Sequence, residues 1–261
     1  MRCRYREKLY VCGDYLEANI YPVYKKSRCR NKKSKPTKEV QQKLNEVNAE
    51  NKFIRICNAN FKSTDYKIEL TYREEFNPKS EEEAASQLRN FLRRLKNYRK
   101  KNGLSELKYV AVTEKGSKKG RYHHHLIING DISLRDLVAL WGKGRVGTDI
   151  LQFNENGIAD LARYMLKRST APSKKKWSSS KNLIHPQPKT RDGRLSKRYV
   201  AELAKDAENS REFEKLYEGY FFSEAKKVYN ETNGGVYIYA RYYKKEAEFW
   251  HTTKQAKKAN R

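Results

Sequence analysis

Between residues 65 and 168 the chain passes through strand-like and helix-like segments in an order that few packed domains can accommodate. Asp65-Tyr66-Lys67-Ile68-Glu69-Leu70-Thr71-Tyr72 alternates polar and apolar residues, the period of a half-buried strand. Ser80-Glu81-Glu82-Glu83 opens a helix, with Ser80 as the cap and Glu83 in the capping-box position. Ala84, Leu88, Phe91, Leu92 and Leu95 then follow helical spacing, and Gly103 ends the segment. Strands over 107–113 and 121–129 flank the short loop Lys115-Gly116-Ser117-Lys118-Lys119-Gly120, so they predict an antiparallel hairpin. A helix over Leu134–Trp141, a strand over 146–153 and a helix over 156–168 complete the series.

The sum, β-α-β-β-α-β followed by a helix, predicts the α+β class. It resembles a ferredoxin-like or RRM-like antiparallel sheet with helices on one face. Residues 51–170 form this expected domain, its core starting near Phe53. Residues 1–50 read as a basic, tyrosine-rich arm, with a phosphate-meeting loop over 28–38 and a short polar helix over 39–50. Residues 171–198, carrying Pro172, Pro186 and Pro188, read as a basic linker. Residues 199–261 read as an α-rich extension: helical over 198–230, a strand over 236–243, and a basic tail over 251–261.

Charge narrows the partners. Fifty-eight Lys and Arg against 31 Asp and Glu leave a net charge of +27. Such an excess repels itself unless a polyanion neutralises it. Nineteen Tyr and three Trp interleave with the cations and supply stacking faces for unpaired bases. Nucleic acid is therefore the expected partner. No apolar run approaches the roughly 18–20 residues of a membrane span, and no apolar segment follows Met1-Arg2-Cys3-Arg4-Tyr5-Arg6. A cytoplasmic protein without a membrane partner is expected. Cys3, Cys12, Cys29 and Cys57 do not match a zinc-finger spacing and read as thiols.

The chemistry concentrates in Tyr122-His123-His124-His125-Leu126-Ile127-Ile128. On a strand alternate side chains share a face, so His123 and His125 point together and His124 points away. Glu114, at the end of the preceding strand, can bring a carboxylate beside the two imidazoles. Such a set holds a divalent ion and leaves coordination positions open for water or substrate. A structural histidine pair and a surface glutamate would produce the same residues.

A second signal lies on Gly157-Ile158-Ala159-Asp160-Leu161-Ala162-Arg163-Tyr164-Met165-Leu166-Lys167-Arg168. Ile158, Leu161, Ala162, Met165 and Leu166 make one apolar stripe at about 100° per residue. Tyr164 and Lys167 lie off it, three residues apart. They read either as a half-buried tyrosine beside a solvated lysine or as a nucleophile with a cation beside it, which a phenol needs near neutral pH.

Together the histidines of the strand and Tyr164-Met165-Leu166-Lys167 resemble the HUH endonucleases, in particular the rolling-circle replication initiators of bacterial plasmids and small single-stranded DNA phages. Asn60-Phe61, Asp65 and Leu70-Thr71-Tyr72 resemble the first strand of that group, and the likeness covers roughly 53–170. His124 departs from the usual apolar residue between the paired histidines. The resemblance implies that Glu114, His123 and His125 hold Mg2+ or Mn2+. It implies that Tyr164 attacks a scissile phosphate, leaving a 5′-phosphotyrosine and a free 3′-hydroxyl, and that Lys167 stabilises the phosphate or phenolate. Arg121, Arg163, Arg168, Lys32, Lys33, Lys35, Lys174, Lys175 and Lys176 are the expected DNA contacts. Single-stranded DNA at an origin hairpin is the expected substrate. A host helicase and DNA polymerase are expected partners, because no phosphate-binding Gly-x-x-x-x-Gly-Lys-Ser/Thr loop occurs. A relaxase or single-strand transposase of the same chemistry, and a non-catalytic single-strand binder, remain open at this point.

Overall fold

Basic and apolar residues alternate with period two over Cys3–Cys12, and that alternation makes a strand, β1. Tyr5, Glu7 and Leu9 turn inward, while Arg4 is exposed and Arg6 and Lys8 are half-buried. The computed structural model describes residues 3–24, 38–116, 120–154, 156–168, 176–205, 210–230 and 235–245. In it β1 pairs along its whole length with Tyr15–Tyr24, β2. The expected arm is therefore, over 3–24, a hairpin. Its charge density hid the alternation, because the cations sit on one face only. Lys32, Lys33 and Lys35 lie outside the described residues.

The chain divides into two compact units, Met1–Ala59 with Phe153–Gly157 and His185–Arg261, and Asn60–Gln152 with Ile158–Ile184. In the first, α1 runs over Lys38–Asn60, longer than the short polar helix expected, with Phe53, Ile54, Ile56 and Cys57 buried near its end. The Arg55 guanidinium lies 3.5 Å from the centre of the Tyr10 ring and pairs with Glu17, so this helix covers one end of a sheet face.

The second unit holds the anticipated series: β3 Tyr66–Thr71, α2 Glu81–Lys101, β4 Tyr109–Lys115, β5 Tyr122–Ile128, α3 Leu134–Trp141, β6 Val146–Ile150 and α4 Ala159–Arg168. A two-residue strand, β7 Ser178–Ser179, adds to the edge, giving the order β6-β3-β5-β4-β7 with every pairing antiparallel. That is the α+β arrangement the element order called for. Ser80 caps α2 by accepting from the Glu83 N–H, and Ser133 caps α3 by accepting from the Asp136 N–H. Helices α2 and α3 bury Phe91, Leu95, Leu137 and Trp141 against Ile68, Leu70, Leu126 and Ile128. The short α4 instead packs against β4, with its Tyr164 ring against the sheet face opposite that core. Helices thus lie on both faces rather than one.

Local devices hold the sheet edge. Gly142 ends α3 in the left-handed region at φ 64°. Two residues on, a side chain at Gly144 would meet the Thr71 carbonyl oxygen at 2.2 Å, so only glycine lets the chain approach β3 there. Arg99 at the end of α2 is 1 % exposed and pairs with Asp131. It also donates to the Ser105 carbonyl at 2.8 Å and the Gly130 carbonyl at 3.1 Å. This clamp ties the helix to the loops at one end of the strands.

The rest of the first unit contains β8 Lys189–Asp192, α5 Lys197–Lys205, α6 Ser210–Glu214, β9 Tyr220–Asn230 and β10 Gly235–Lys244. Its strands run β8-β1-β2-β10-β9, all antiparallel. Residues 220–230, expected as helix, are a strand because they pair with β10 as a hairpin, and tertiary pairing overrides local propensity. The expected linker contributes β7 and β8. Helices α5 and α6 bury Val200, Leu203 and Phe213 against Leu9, Ala18, Ile20 and Tyr242. The expected tail over 251–261 lies outside the described residues. Among the described residues no helix is long and apolar enough to cross a membrane.

Candidate active site

The register of the second sheet brings the chemistry-bearing residues onto neighbouring strands. On β5, His123 stands opposite Thr71 of β3 and Glu114 of β4, and His125 stands opposite Glu69 and Val112. Residues directly opposite share a face, so Glu69, Thr71, Glu114, His123 and His125 all project from one side.

His124 projects from the other side and belongs to the core. It is fully buried, with its ring 6.0 Å from that of Trp141 and 5.5 Å from that of Tyr72. Both nitrogens have partners: Nε2 lies 2.6 Å from the Tyr72 hydroxyl and Nδ1 lies 3.0 Å from the Thr113 hydroxyl. Burial, reinforced by His125 and His123, pushes its pKa down to about 3. His124 is thus a neutral, hydrogen-bonded core residue.

The opposite face is partly open. His125 Nε2 lies 2.9 Å from Glu114 Oε2, with the two side chains 4 % and 14 % exposed. His123 Nδ1 lies 3.6 Å from Glu69 Oε1, and both of these side chains are more exposed. Glu69 is a residue the sequence reading passed over; its position opposite His125 follows from strand pairing, which no local pattern specifies. Gly116 adjoins His123, since a side chain there would come within 3.5 Å of Nε2. Among the described residues no group of three or more His, Cys, Asp or Glu side chains is placed so as to hold a metal ion.

Helix α4 brings the tyrosine to this face. Ile158, Ala159, Ala162 and Met165 are buried, while Tyr164 is 43 % exposed. The Tyr164 ring meets the His125 ring edge-on, at 80° and 6.1 Å between centroids. Lys167, one helical turn on, is exposed. The structure therefore brings Tyr164, His125 and Glu114 together, with His123 and Glu69 beside them on the same face.

Residues 65–169 match the model of a replication-associated protein family, the one described by its ORF2 member. The matched segment contains the whole five-residue set on the sheet together with Tyr164 and Lys167, and it supports a replication initiator protein. No curated protein and no solved structure matches the chain.

The expected DNA contacts are placed as follows. Arg121 is next to β5 and pairs on the surface with Glu74 at 3.3 Å. Arg163 pairs with Asp160 within α4 at 3.0 Å. Surface pairs of this kind are worth little and yield readily to a phosphate. Lys176 is exposed. The Arg168 side chain, Lys174 and Lys175 lie outside what the structure describes. Cys12 and Cys57 are buried thiols, and burial pushes the Cys12 thiol up to about 12, which makes it a poor metal ligand.

Proposed function

We propose that this protein initiates rolling-circle replication by nicking and rejoining single-stranded DNA at an origin hairpin. The observation that carries the reading is the meeting of Tyr164 with His125, which is itself hydrogen-bonded to Glu114. A nucleophile and a candidate ligand set converge on one face although they come from different elements.

In the proposed reaction the Tyr164 hydroxyl attacks the phosphorus of the scissile phosphodiester. The bond formed joins the tyrosine oxygen to phosphorus, and the bond broken joins phosphorus to the 3′ oxygen. The phenol proton is balanced by the proton taken up on the 3′ oxygen. One phosphodiester replaces another, so the step runs in reverse when a 3′-hydroxyl returns. Lys167 is assigned to the developing negative charge on phosphate or phenolate.

Glu114, His123 and His125 would hold Mg2+ or Mn2+. The donor chemistry fits: two imidazoles and a carboxylate suit a small divalent ion. His125 and Glu114 already point at each other across 2.9 Å, where a cation can replace the shared proton. When bound, the ion supplies Lewis-acid polarisation of a non-bridging phosphate oxygen. Glu69 would orient His123. A 3′-hydroxyl left by the cut is a primer for a host DNA polymerase, with strand separation supplied by a host helicase.

The test is incubation with single-stranded origin DNA and Mn2+ followed by a denaturing gel. A protein–DNA adduct that vanishes with EDTA supports the reading; cleavage without an adduct contradicts it.

A further inference from the structure

The first sheet, which lies outside the matched segment, has one face packed on α5 and α6 through Leu9, Ala18, Ile20, Ile238 and Ala240. Strand alternation sends the residues between them to the opposite face. There Tyr239 of β10 stands opposite Lys226 of β9 on one side and Asn19 of β2 on the other, and Asn19 stands opposite Lys8 of β1. Tyr21 and Tyr237 share that face, their rings nearly parallel at 7° and 6.5 Å apart. Lys8 Nζ lies 5.8 Å from the centre of the Tyr21 ring. Arg4, exposed, continues the cationic row on β1.

A solvated sheet face ordinarily mixes both charges. Here the acids are each held by an arginine: Asp192 by Arg6, Glu17 by Arg55 and Glu224 by Arg241. Among the described residues, Lys8 and Lys226 form no ion pair. The result is three tyrosines on adjacent strands, bordered by cations on both sides. Tyr239 remains 40 % exposed, an unusual cost for a large ring on a sheet unless something covers it. Flat aromatic faces bordered by cations fit a ligand with flat faces strung on a negative backbone. That is an unpaired nucleic-acid strand, whose bases stack on any ring irrespective of sequence.

We propose that this face of the first sheet is a second binding platform for single-stranded DNA, with bases on Tyr21, Tyr237 and Tyr239 and phosphates on Arg4, Lys8 and Lys226. It is separate from the residues of the candidate active site and requires no metal. Its task would be to hold the strand without cutting it.

The test uses the full chain in EDTA, so that no outcome depends on cleavage, and a fluorescent oligo(dT) whose anisotropy reports binding. Tyr239→Ala and Tyr237→Ala are expected to weaken binding about tenfold each. The double variant Lys8→Gln/Lys226→Gln changes only solvent-facing side chains and should keep the fold, which circular dichroism checks. It is expected to flatten the log–log salt dependence by about 1.4, at about 0.7 per phosphate contact on a single strand. Duplex DNA of the same length should compete poorly. Unchanged affinity and salt slope in the folded lysine double variant overturn the proposal, as does tighter binding of oligo(rU) than of oligo(dT).

Discussion

The Tyr164 ring stands edge-on to the His125 imidazole at 6.1 Å between centroids, and His125 in turn hydrogen-bonds Glu114. An exposed tyrosine on a short helix has many surface positions open to it. This one is held over the imidazole because Ile158, Ala162 and Met165 fix the opposite side of α4 in the core. The packing stripe of the helix therefore aims the hydroxyl-bearing face.

The first prediction concerns the ligand set. His123→Ala, His125→Ala and Glu114→Ala should each reduce adduct formation by at least a hundredfold and weaken Mn2+ binding measured by calorimetry. Glu69→Gln should act through His123 and cost about ten- to a hundredfold, the range for groups that orient a ligand. Full activity of Glu114→Ala at low Mn2+ would remove the carboxylate from the set.

His124 should matter for stability rather than for cutting. Its folded pKa is pushed down to about 3 from 6.5, so below 6.5 the unfolded chain takes up a proton that the folded chain refuses. Stability should therefore be intact above pH 6.5 and fall as pH drops toward 3. At about 1.4 kcal/mol per pH unit the loss can reach the order of 4 kcal/mol. Urea unfolding of His124→Gln beside the wild type should show a shallower acid loss in the variant. Identical pH slopes would contradict the assignment.

Arg99→Met should destabilise the second unit by roughly 3 kcal/mol, because it strips donors from the Ser105 and Gly130 carbonyls and leaves Asp131 without its partner. Arg99→Lys should recover little, since an ammonium lacks the planar fork that serves several acceptors at once. Thermal unfolding gives the readout; an unchanged midpoint in both variants would show that the clamp carries no stability.

How much was legible in the chain follows from where each signal is stored. The strands and helices from β3 to α4 are written in short-range periods and caps such as Ser80 and Ser133, so they could be read locally. The alternation that put His124 in the core and His123 and His125 on the other face is likewise local. Glu69 was not legible, because its place beside His123 depends on a cross-strand register set by the whole sheet. The strands β1 and β2 were obscured by charge: Arg4, Arg6 and Lys8 dominate the composition, while Tyr5, Glu7 and Leu9 supply the buried face. The strand β9 was misread as helix because its partner, β10, lies beyond the segment itself. The side of the sheet taken by α4 could not be read from its stripe, which specifies a buried face but not the surface that buries it.

The most direct measurement of the central claim is peptide mapping of the protein–DNA adduct formed with Mn2+, beside the Tyr164→Phe variant. Phe keeps the ring against His125 and removes only the hydroxyl, so folding, Mn2+ binding and DNA binding should be unchanged. The wild-type adduct should carry the DNA 5′ phosphate on Tyr164, and Tyr164→Phe should give none. An adduct on another tyrosine, or cleavage by Tyr164→Phe at the wild-type rate with no protein attached, would contradict the account.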